Sequence, residues 1–228
     1  MVEKALVLYS GGKDSHYALF KALNQGYSIE KLLIVLPSRI DSWLFHSINI
    51  KWCVLHSELL GLDYEVMHSS GVKDREVEEL RKKLNELRDD GFKYLISGVT
   101  ASNYQKTIVD RLCNALGIIH ITPLWNYDPR TLLYEEVRSL GFIITAIQAY
   151  GLGIEWLGNL INLDNIEMFV RTCLKYGINF VGEGGEFETY VVSSPLFNNK
   201  KVCVRSSKKI WYPNHWVGYL VIEDAEVC

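Results

Sequence analysis

The segment Ser10–Ser15, with the sequence SGGKDS, carries residue types that bind phosphate groups. Adjacent glycines adopt positive φ readily and let the backbone approach an anion closely. Serine hydroxyls and a lysine ammonium group add donors and positive charge. We therefore predict a nucleotide phosphate site made by Ser10, Gly11, Gly12, Lys13, Asp14 and Ser15.

Two residues of this segment are candidates for direct roles in a reaction. Lys13 would stabilise the charge that develops on departing phosphate oxygens. Asp14 is a candidate Mg²⁺ ligand, or else a first-turn carboxylate that interacts with the helix dipole. The segment lacks the GxxxxGK[ST] spacing of a Walker A loop, so transfer of the γ-phosphate is not the expected chemistry.

A second glycine-rich segment, Gly182–Thr189, has the sequence GEGGEFET and contains three glutamates within six residues. Its glycines favour a tight backbone that can close on a ligand. Its carboxylates are suited to hold Mg²⁺, to recognise a cation or to orient an amine. A solvated turn before a strand is the alternative interpretation.

The elements around these segments alternate between short apolar runs and helical patterns. The predicted strands are Ala5–Tyr9, Lys31–Leu36, Tyr64–Met67, Tyr94–Ser97 and Ile118–Ile121, and the predicted helices are Asp14–Asn24, Ile48–Leu60, Asp74–Arg88 and Tyr104–Leu116. Such alternation indicates an α/β fold with a mostly parallel sheet and helices on both faces. Ligands bind such sheets beyond the carboxyl ends of their strands, where Ser10–Ser15 lies.

The pattern changes near Pro123–Asp128. Helices are predicted at Thr131–Leu140 and Leu163–Tyr176, and strands at Phe142–Ala149, Tyr190–Ser193, Lys201–Ser206 and Val217–Glu223, the last three antiparallel. We therefore predict an ATP-binding domain over residues 1–125 and a smaller α+β part over residues 126–228 that recognises the substrate.

Composition narrows the class of protein. The chain has 228 residues and a net charge of −3, and no apolar run reaches the roughly 20 residues of a membrane span. We expect a soluble cytoplasmic protein that binds neither membranes nor nucleic acid directly, while leaving a homo-oligomer open. The five cysteines include no CxxC pair, so we expect buried thiols and no structural zinc.

The sequence SGGKDS resembles the PP-loop of the N-type ATP pyrophosphatases. The resemblance implies that ATP is held by its β- and γ-phosphates and is cleaved to AMP and pyrophosphate.

The whole set of motifs is more specific. Besides SGGKDS and GEGGEFET, the chain contains GVTASNYQ at residues 98–105 and GLGIEWL at residues 151–157. In this order they resemble the diphthine–ammonia ligase family. That resemblance implies amidation of diphthine, a modified histidine of translation elongation factor 2, to diphthamide through an acyl-adenylate. The co-substrates would be ATP, with Mg²⁺, and ammonium.

The resemblance also implies roles for individual residues. Gly98, His46 and Asn49 would lie at the nucleotide, and Asn103 and Gln105 would contact the substrate. Glu186 would be a catalytic carboxylate. The substrate's trimethylammonium group would meet Trp156 and Tyr150 with Glu186 or Glu188. The rest of the substrate loop comprises Glu183, Gly184, Gly185 and Thr189.

One position departs from the family pattern. Two basic residues often follow Tyr-Gln in the family, whereas this chain has Lys106 and then Ile108. Two other functions remain open: another PP-loop adenylating enzyme such as a tRNA thiolase, and a non-catalytic ATP-binding regulator.

Overall fold

The structure is a computed structural model that describes residues 3–39, 45 and 48–228. Its first sheet has five parallel strands in the order β3-β2-β1-β4-β5. The strands are β1 (Lys4–Leu8), β2 (Ser28–Pro37), β3 (Asp63–Ser69), β4 (Phe92–Ser97) and β5 (Ile119–Ile121), and the helices between them are α1 (Lys13–Asn24), α2 (Cys53–Leu60), α3 (Lys73–Asp89) and α4 (Asn103–Leu116). The predicted parallel α/β fold is confirmed.

Alternation of side chains along β1 shows why the helices cover both faces of this sheet. Ala5 and Val7 point into a core with α1 and α2, whereas Leu6 points into a second core with α3 and α4. Neighbouring side chains of a strand face opposite sides of a sheet, so an uninterrupted apolar strand needs a cover on each side.

The second sheet is antiparallel and is built around β6. Its elements are α5 (Pro129–Ser139), β6 (Gly141–Gln148), β7 (Leu160–Ile161), α6 (Ile166–Tyr176), β8 (Phe187–Ser193), β9 (Val202–Tyr212) and β10 (Val217–Val227). One edge of β6 pairs with β8, and the other edge is shared by β7 and β10. The predicted antiparallel C-terminal strands are confirmed, although β9 runs six residues beyond the predicted end at Ser206.

A continuous core joins the two sheets. The cluster that contains Ala5 and Val7 of β1 also contains Phe142 of β6 and Val191 of β8. Helix α5 is fastened to α1 by Glu135, which accepts a hydrogen bond from Tyr17 and pairs with Lys21. The boundary between residues 125 and 126 stays a prediction.

The cysteines depart from the expectation of free thiols. Cys53, Cys113 and Cys173 are free and buried, but Cys203 of β9 and Cys228 form a disulfide. Residue 203 faces residue 226 across the β9–β10 hairpin, which brings the two cysteine Cα atoms within 6.0 Å. The pairing depends on strand register, which the spacing of cysteines does not reveal. None of the described helices is long and apolar enough to cross a membrane.

Candidate active site at the β1–β4 edge

The loop after β1 and the loop after β4 lie side by side at the carboxyl edge of the parallel sheet. The first leads into α1 on one face of the sheet, and the second leads into α4 on the opposite face. Adjacent strands whose connections leave to opposite faces open a crevice between them, which is where α/β sheets bind ligands.

The geometry of the first loop requires glycine at Gly11 and leaves little room for a side chain at Gly12. Gly11 has φ +74°, and a Cβ atom there would lie 2.6 Å from the Cys53 sulfur. Gly12 is the N-cap of α1 in extended conformation, and its added Cβ would lie 3.2 Å from the Thr189 carbonyl oxygen. The loop therefore presents backbone where a larger residue would present a side chain.

Two serine hydroxyls hold the loop closed. The Oγ atoms of Ser10 and Ser15 lie 3.1 Å apart, and the Ser15 hydroxyl donates to the Gly12 carbonyl oxygen at 3.1 Å. The first hydrogen bond of α1 runs from His16 N–H to Gly12, which leaves the first-turn amides of Asp14 and Ser15 without an intrahelical acceptor. Amides in that position attract anions.

Gly98 brings the end of β4 against this helix start. A Cβ atom at Gly98 would lie 2.5 Å from the Ser15 nitrogen and 2.6 Å from the Asp14 carbonyl carbon, so only glycine fits. Gly98 therefore lies beside the phosphate loop, and its predicted contact with the nucleotide stays a prediction.

A buried polar chain fixes the same end of β4. The Ser97 hydroxyl lies 2.8 Å from His120 Nε2, and His120 Nδ1 lies 2.6 Å from Asp110. Burial lowers the pKa of His120, and Asp110 offsets part of that effect. Although the three residue types are those of a hydrolase triad, Ser97 is only 6% exposed beneath α4. These hydrogen bonds tie β4, β5 and α4 together.

The GEGGEFET segment meets the phosphate loop through β8. The Lys13 amide donates to the Thr189 hydroxyl at 3.1 Å, and the Val191 amide donates to the Gly11 carbonyl at 2.9 Å. Two motifs that lie more than 170 residues apart thus share one surface. The structure brings Thr189 to the phosphate loop.

Glu183 of the same segment reaches the start of α4. It accepts hydrogen bonds from the Thr100 hydroxyl and from the backbone amides of Ala101 and Ser102. Burial raises the pKa of Glu183, and the negative charge of Asp14 raises it further. Glu183 therefore lies in the crevice, facing the first turn of α1.

Lys13, which was predicted to stabilise charge on departing phosphate oxygens, is tied to other side chains in the structure. Its side chain is buried, with Nζ 2.7 Å from Asp14 and 3.1 Å from Glu136 of α5. Burial alone would lower the pKa of Lys13, but the two carboxylates outweigh that effect and raise it. Burial in turn raises the pKa of Glu136, and Lys13 offsets part of the rise. The lysine joins the phosphate loop to α5.

Two family models match the chain. The diphthamide synthase N-terminal domain matches residues 3–120, and the diphthamide synthase C-terminal domain matches residues 128–227. The chain belongs to the diphthamide synthase family. The phosphate loop and β4 lie in the first matched segment, and Glu136 and the GEGGEFET segment lie in the second, so the crevice combines both family domains.

Relatives of this diphthamide synthase family member extend over most of its length. A zebrafish protein named diphthine–ammonia ligase is 30% identical, covering 89% of this chain and 87% of its own. The human protein of that name is 28% identical over 91% of this chain and 85% of its own. The fission yeast protein is 27% identical over 96% of this chain, but the match covers only 39% of that protein.

Asn49, which was expected at the nucleotide, is not brought to the crevice. The Asn49 amide group donates to the Leu220 carbonyl and accepts from the Ile222 amide, both at 2.8 Å. Its hydrogen-bonding groups therefore hold β10, and Asn49 is only 8% exposed. His46 lies outside the described residues.

The first turn of α4 does reach the crevice. Asn103 is exposed at the first position of α4. The backbone N–H of Gln105 donates to the hydroxyl of Ser102, the N-cap of α4, at 3.3 Å. Both lie in the turn on which Glu183 docks. Ile108 packs into the core between α3 and α4, and Lys106 pairs with Asp110 at 2.5 Å. The residue that departs from the family pattern thus has a packing role.

The two aromatic residues proposed for the trimethylammonium group lie in different environments. Trp156 is 3% exposed and packs edge-on against Phe169, with ring centroids 5.1 Å apart. It belongs to the core, because a ring buried on all sides has no face for a ligand. Tyr150 is 65% exposed and packs edge-on against Tyr176 and Trp216.

The remaining residues of the GEGGEFET segment point elsewhere. One Glu186 oxygen accepts from the Asn179 amide at 3.2 Å, within the turn after α6, so its carboxylate is not gathered with Asp14 and Glu183. Glu188 lies in β8, opposite Ala146 of the neighbouring strand β6. Gly184 and Gly185 are exposed. Among the described residues, no group of three His, Cys, Asp or Glu side chains is arranged to hold a metal ion.

Several residues at the site were not predicted from the sequence. Tyr9, His16 and His56 form a buried cluster directly behind the loop, and Glu136 pairs with Lys13. Glu136 sits on the apolar face of α5 beside Leu132, Leu133 and Val137, all buried. A carboxylate inside an apolar helix face is a signal that a buried cation lies opposite, and it was available in the sequence.

Proposed function

We propose that this protein catalyses the ATP-dependent amidation of diphthine on translation elongation factor 2 to diphthamide, with ammonium as nitrogen source and AMP and pyrophosphate as products. The relatives named diphthine–ammonia ligase support the reaction, since they match most of this chain. The observation that carries the proposal is the contact between the two signature segments through Lys13 and Thr189. A second bond, from Val191 to Gly11, holds the next part of β8 on the same loop.

ATP would bind with its β- and γ-phosphates at the start of α1. The amides of Asp14 and Ser15 supply donors there, and the hydroxyls of Ser10 and Ser15 hold the loop in the shape that presents them. Gly11 and Gly12 keep side chains away from the phosphates. The site fits a polyphosphate because positive helix-end charge and donors are concentrated on one loop.

The chemistry requires activation of a carboxylate. A carboxylate oxygen of diphthine attacks the α-phosphorus, the bond to the bridging oxygen breaks, and pyrophosphate departs. Ammonia then attacks the acyl carbon, AMP departs with the bonding electrons, and the nitrogen loses one proton to form the neutral amide. The protein contributes mainly by positioning the reactants and by stabilising charge on the departing pyrophosphate.

Mg²⁺ would enter with ATP and neutralise phosphate charge. Magnesium in nucleotide sites is commonly held by phosphate oxygens, water and one or two carboxylates. Asp14, at the first turn of α1, is the carboxylate best placed to contribute, and it is 29% exposed in its pair with Lys13. This arrangement is consistent with the lack of a complete metal site among the described side chains.

The C-terminal part, residues 126–228, would recognise the protein substrate. Glu183 faces the crevice whereas Glu186 faces the turn after α6. We therefore assign substrate contact to Glu183, Asn103 and Gln105, and a supporting role to Glu186. The alternative for Glu186 is the catalytic role predicted from the sequence. Glu183→Gln should reduce amidation more than Glu186→Gln while calorimetric ATP affinity stays within a few-fold in both variants.

The bond that is cleaved tests the reaction class. Turnover of ATP labelled at the α-phosphorus should yield labelled AMP and no labelled ADP. ADP as the product would exclude a PP-loop ligase, and no turnover with any acceptor would favour a non-catalytic regulator.

The acceptor and the nitrogen source need a separate experiment. Elongation factor 2 carrying diphthine should gain an amide, detected by mass spectrometry of the modified histidine, when ATP and ammonium are supplied. The unmodified factor should not react. Equal amidation with glutamine in place of ammonium, or equal ATP turnover with the unmodified factor, would overturn this assignment.

A further inference from the structure

A buried chain of hydrogen bonds runs behind the phosphate loop and reaches β8, the strand in which the GEGGEFET segment ends. Tyr9 ends the run that leads into the loop, His16 lies in α1, and His56 lies in α2. The Tyr9 hydroxyl lies 2.7 Å from His16 Nδ1 and 2.8 Å from His56 Nδ1. His56 Nε2 lies 2.7 Å from the Val191 carbonyl, and His16 Nε2 lies 2.7 Å from the Ser194 hydroxyl.

The donors and acceptors fix the direction of every bond when both rings are neutral. A carbonyl only accepts, so His56 Nε2 carries the proton and His56 Nδ1 accepts from the Tyr9 hydroxyl. Tyr9 has then used its proton, so its oxygen accepts from His16 Nδ1–H. His16 Nε2 is left as an acceptor for the Ser194 hydroxyl, whose oxygen accepts from the Leu196 amide at 3.1 Å.

Packing favours the neutral form of both rings. Tyr9 is 2% exposed, and His16 and His56 are fully buried. His56 stacks on Tyr190 with ring centroids 4.6 Å apart, and His16 packs edge-on against Phe197 at 5.1 Å. Burial lowers the pKa of both histidines, since a charged imidazole would lose its hydration.

One residue, Val191 of β8, connects this chain of hydrogen bonds to the phosphate loop. Val191 accepts from His56 through its carbonyl and donates through its amide to the Gly11 carbonyl at 2.9 Å. The orientation of the Gly11 carbonyl sets the direction of the next amide in the loop, because the two belong to one rigid peptide plane. The hydrogen-bond chain can therefore set the direction of the Gly12 amide, at the residue that caps α1.

We propose that Tyr9, His16 and His56 are positioning residues that hold the phosphate loop against β8, with His16 as the Nδ1–H tautomer and His56 as the Nε2–H tautomer. The proposal deepens the proposed function, because it concerns the loop assigned to ATP.

The tautomers can be measured without any substrate. Two-bond ¹⁵N–¹H correlation spectra of histidine-labelled protein at pH 7 should show His16 protonated at Nδ1 and His56 protonated at Nε2. The reverse tautomer at either ring, or a ring protonated at both nitrogens, would overturn the proposed chain. This measurement stands even if the protein proves not to use ATP.

The positioning role is tested with Tyr9→Phe, which keeps the ring and removes the hydroxyl on which both histidines depend. We expect the KM and Kd for ATP to rise about tenfold, the scale of one lost hydrogen bond, with a smaller change in kcat. Both tautomer signatures should also be lost or mixed.

The matched control is Tyr190→Phe. Tyr190 is also a buried tyrosine beside His56, but its hydroxyl donates to the Trp52 carbonyl at 2.9 Å, outside the chain. Tyr190→Phe should leave the tautomers of His16 and His56 unchanged and the KM and Kd for ATP within about twofold of the wild-type values. Equal effects of the two substitutions on ATP binding would reduce the Tyr9 effect to general stability and overturn the positioning role. Absence of ATP binding in the wild-type protein would instead count against the proposed function.

Discussion

Two buried polar groups connect the phosphate loop to the C-terminal part, and they do so by different physics. The pair of Lys13 and Glu136 places an ammonium group against a buried carboxyl group, with Nζ and the carboxyl oxygen 3.1 Å apart. The chain of Tyr9, His16 and His56 is neutral and directed. Both are fully or almost fully buried. A buried charge depends strongly on its partner, whereas a neutral hydrogen-bond chain depends on pH and on each link.

The charged pair should be the most sensitive to loss of one member. Lys13→Ala leaves Glu136 buried without its cation, and this should lower the free energy of unfolding by about 3–5 kcal/mol. Urea unfolding of the variant measures the loss. The expected loss follows from the burial of Lys13 against Glu136 of α5.

A double variant separates stability from chemistry. Lys13→Met combined with Glu136→Gln removes both charges and should recover most of the stability. If AMP formation then stays lower by about 100-fold or more, Lys13 also stabilises the transition state. Recovery of both properties would assign Lys13 a structural role alone, and a single Lys13→Ala variant as stable as the wild type would show that the pair contributes nothing.

The neutral hydrogen-bond chain of Tyr9, His16 and His56 should make the folded protein less stable in mild acid. Burial lowers the pKa of His56 from the ordinary 6.5 to about 4. Between those pH values the unfolded chain takes up a proton that the folded chain does not, so stability falls as the pH drops and levels off below about 4. For His56 the loss is about 3 kcal/mol, and burial of His16 acts in the same direction.

A pair of substitutions isolates this acid response. His56→Gln keeps a donor for Val191 but cannot be protonated, so its stability should depend less on pH between 6.5 and 4. His68→Gln, at an exposed position of β3, should keep the wild-type slope. Urea midpoints across that range provide the measurement, and equal slopes in the two variants would contradict the assignment to His56.

The sequence predicted those features that depend on local pattern. The apolar run at Ala5–Tyr9 and the helical spacing after Asp14 place SGGKDS at a strand-to-helix turn, and the structure has β1 and α1 there. Alternation of strands and helices likewise predicted the parallel sheet. Such features follow from backbone conformation and periodicity, which neighbouring residues determine.

Side-chain directions at the site could not be predicted in this way. Glu183 and Glu186 are three residues apart in one glycine-rich segment, yet one faces the crevice and the other the turn after α6. Trp156 looked like a ligand-binding ring, but Phe169 of α6 covers it. These outcomes depend on contacts between distant parts of the chain, as does the disulfide set by the β9–β10 register.

The smallest expected effect comes from comparing Glu136 with its neighbour on α5. Glu135 pairs with Lys21 at 3.1 Å and is 31% exposed, whereas Glu136 is fully buried. Glu135→Gln should cost at most about 1 kcal/mol, and raised salt should shrink that cost because water and ions screen an exposed pair.

Glu136→Gln keeps the side-chain shape and leaves Lys13 with Asp14 as its remaining carboxylate. Its cost should therefore stay below that of Lys13→Ala, at about 1–3 kcal/mol, and should change little between 0.1 and about 1 M NaCl, since mobile ions do not reach a buried pair. Urea unfolding of both variants at the two salt concentrations makes the comparison. If Glu135→Gln and Glu136→Gln cost the same and respond equally to salt, the connection between the phosphate loop and α5 behaves like a surface ion pair. The contrast with the hydrogen-bond chain of Tyr9, His16 and His56 then disappears.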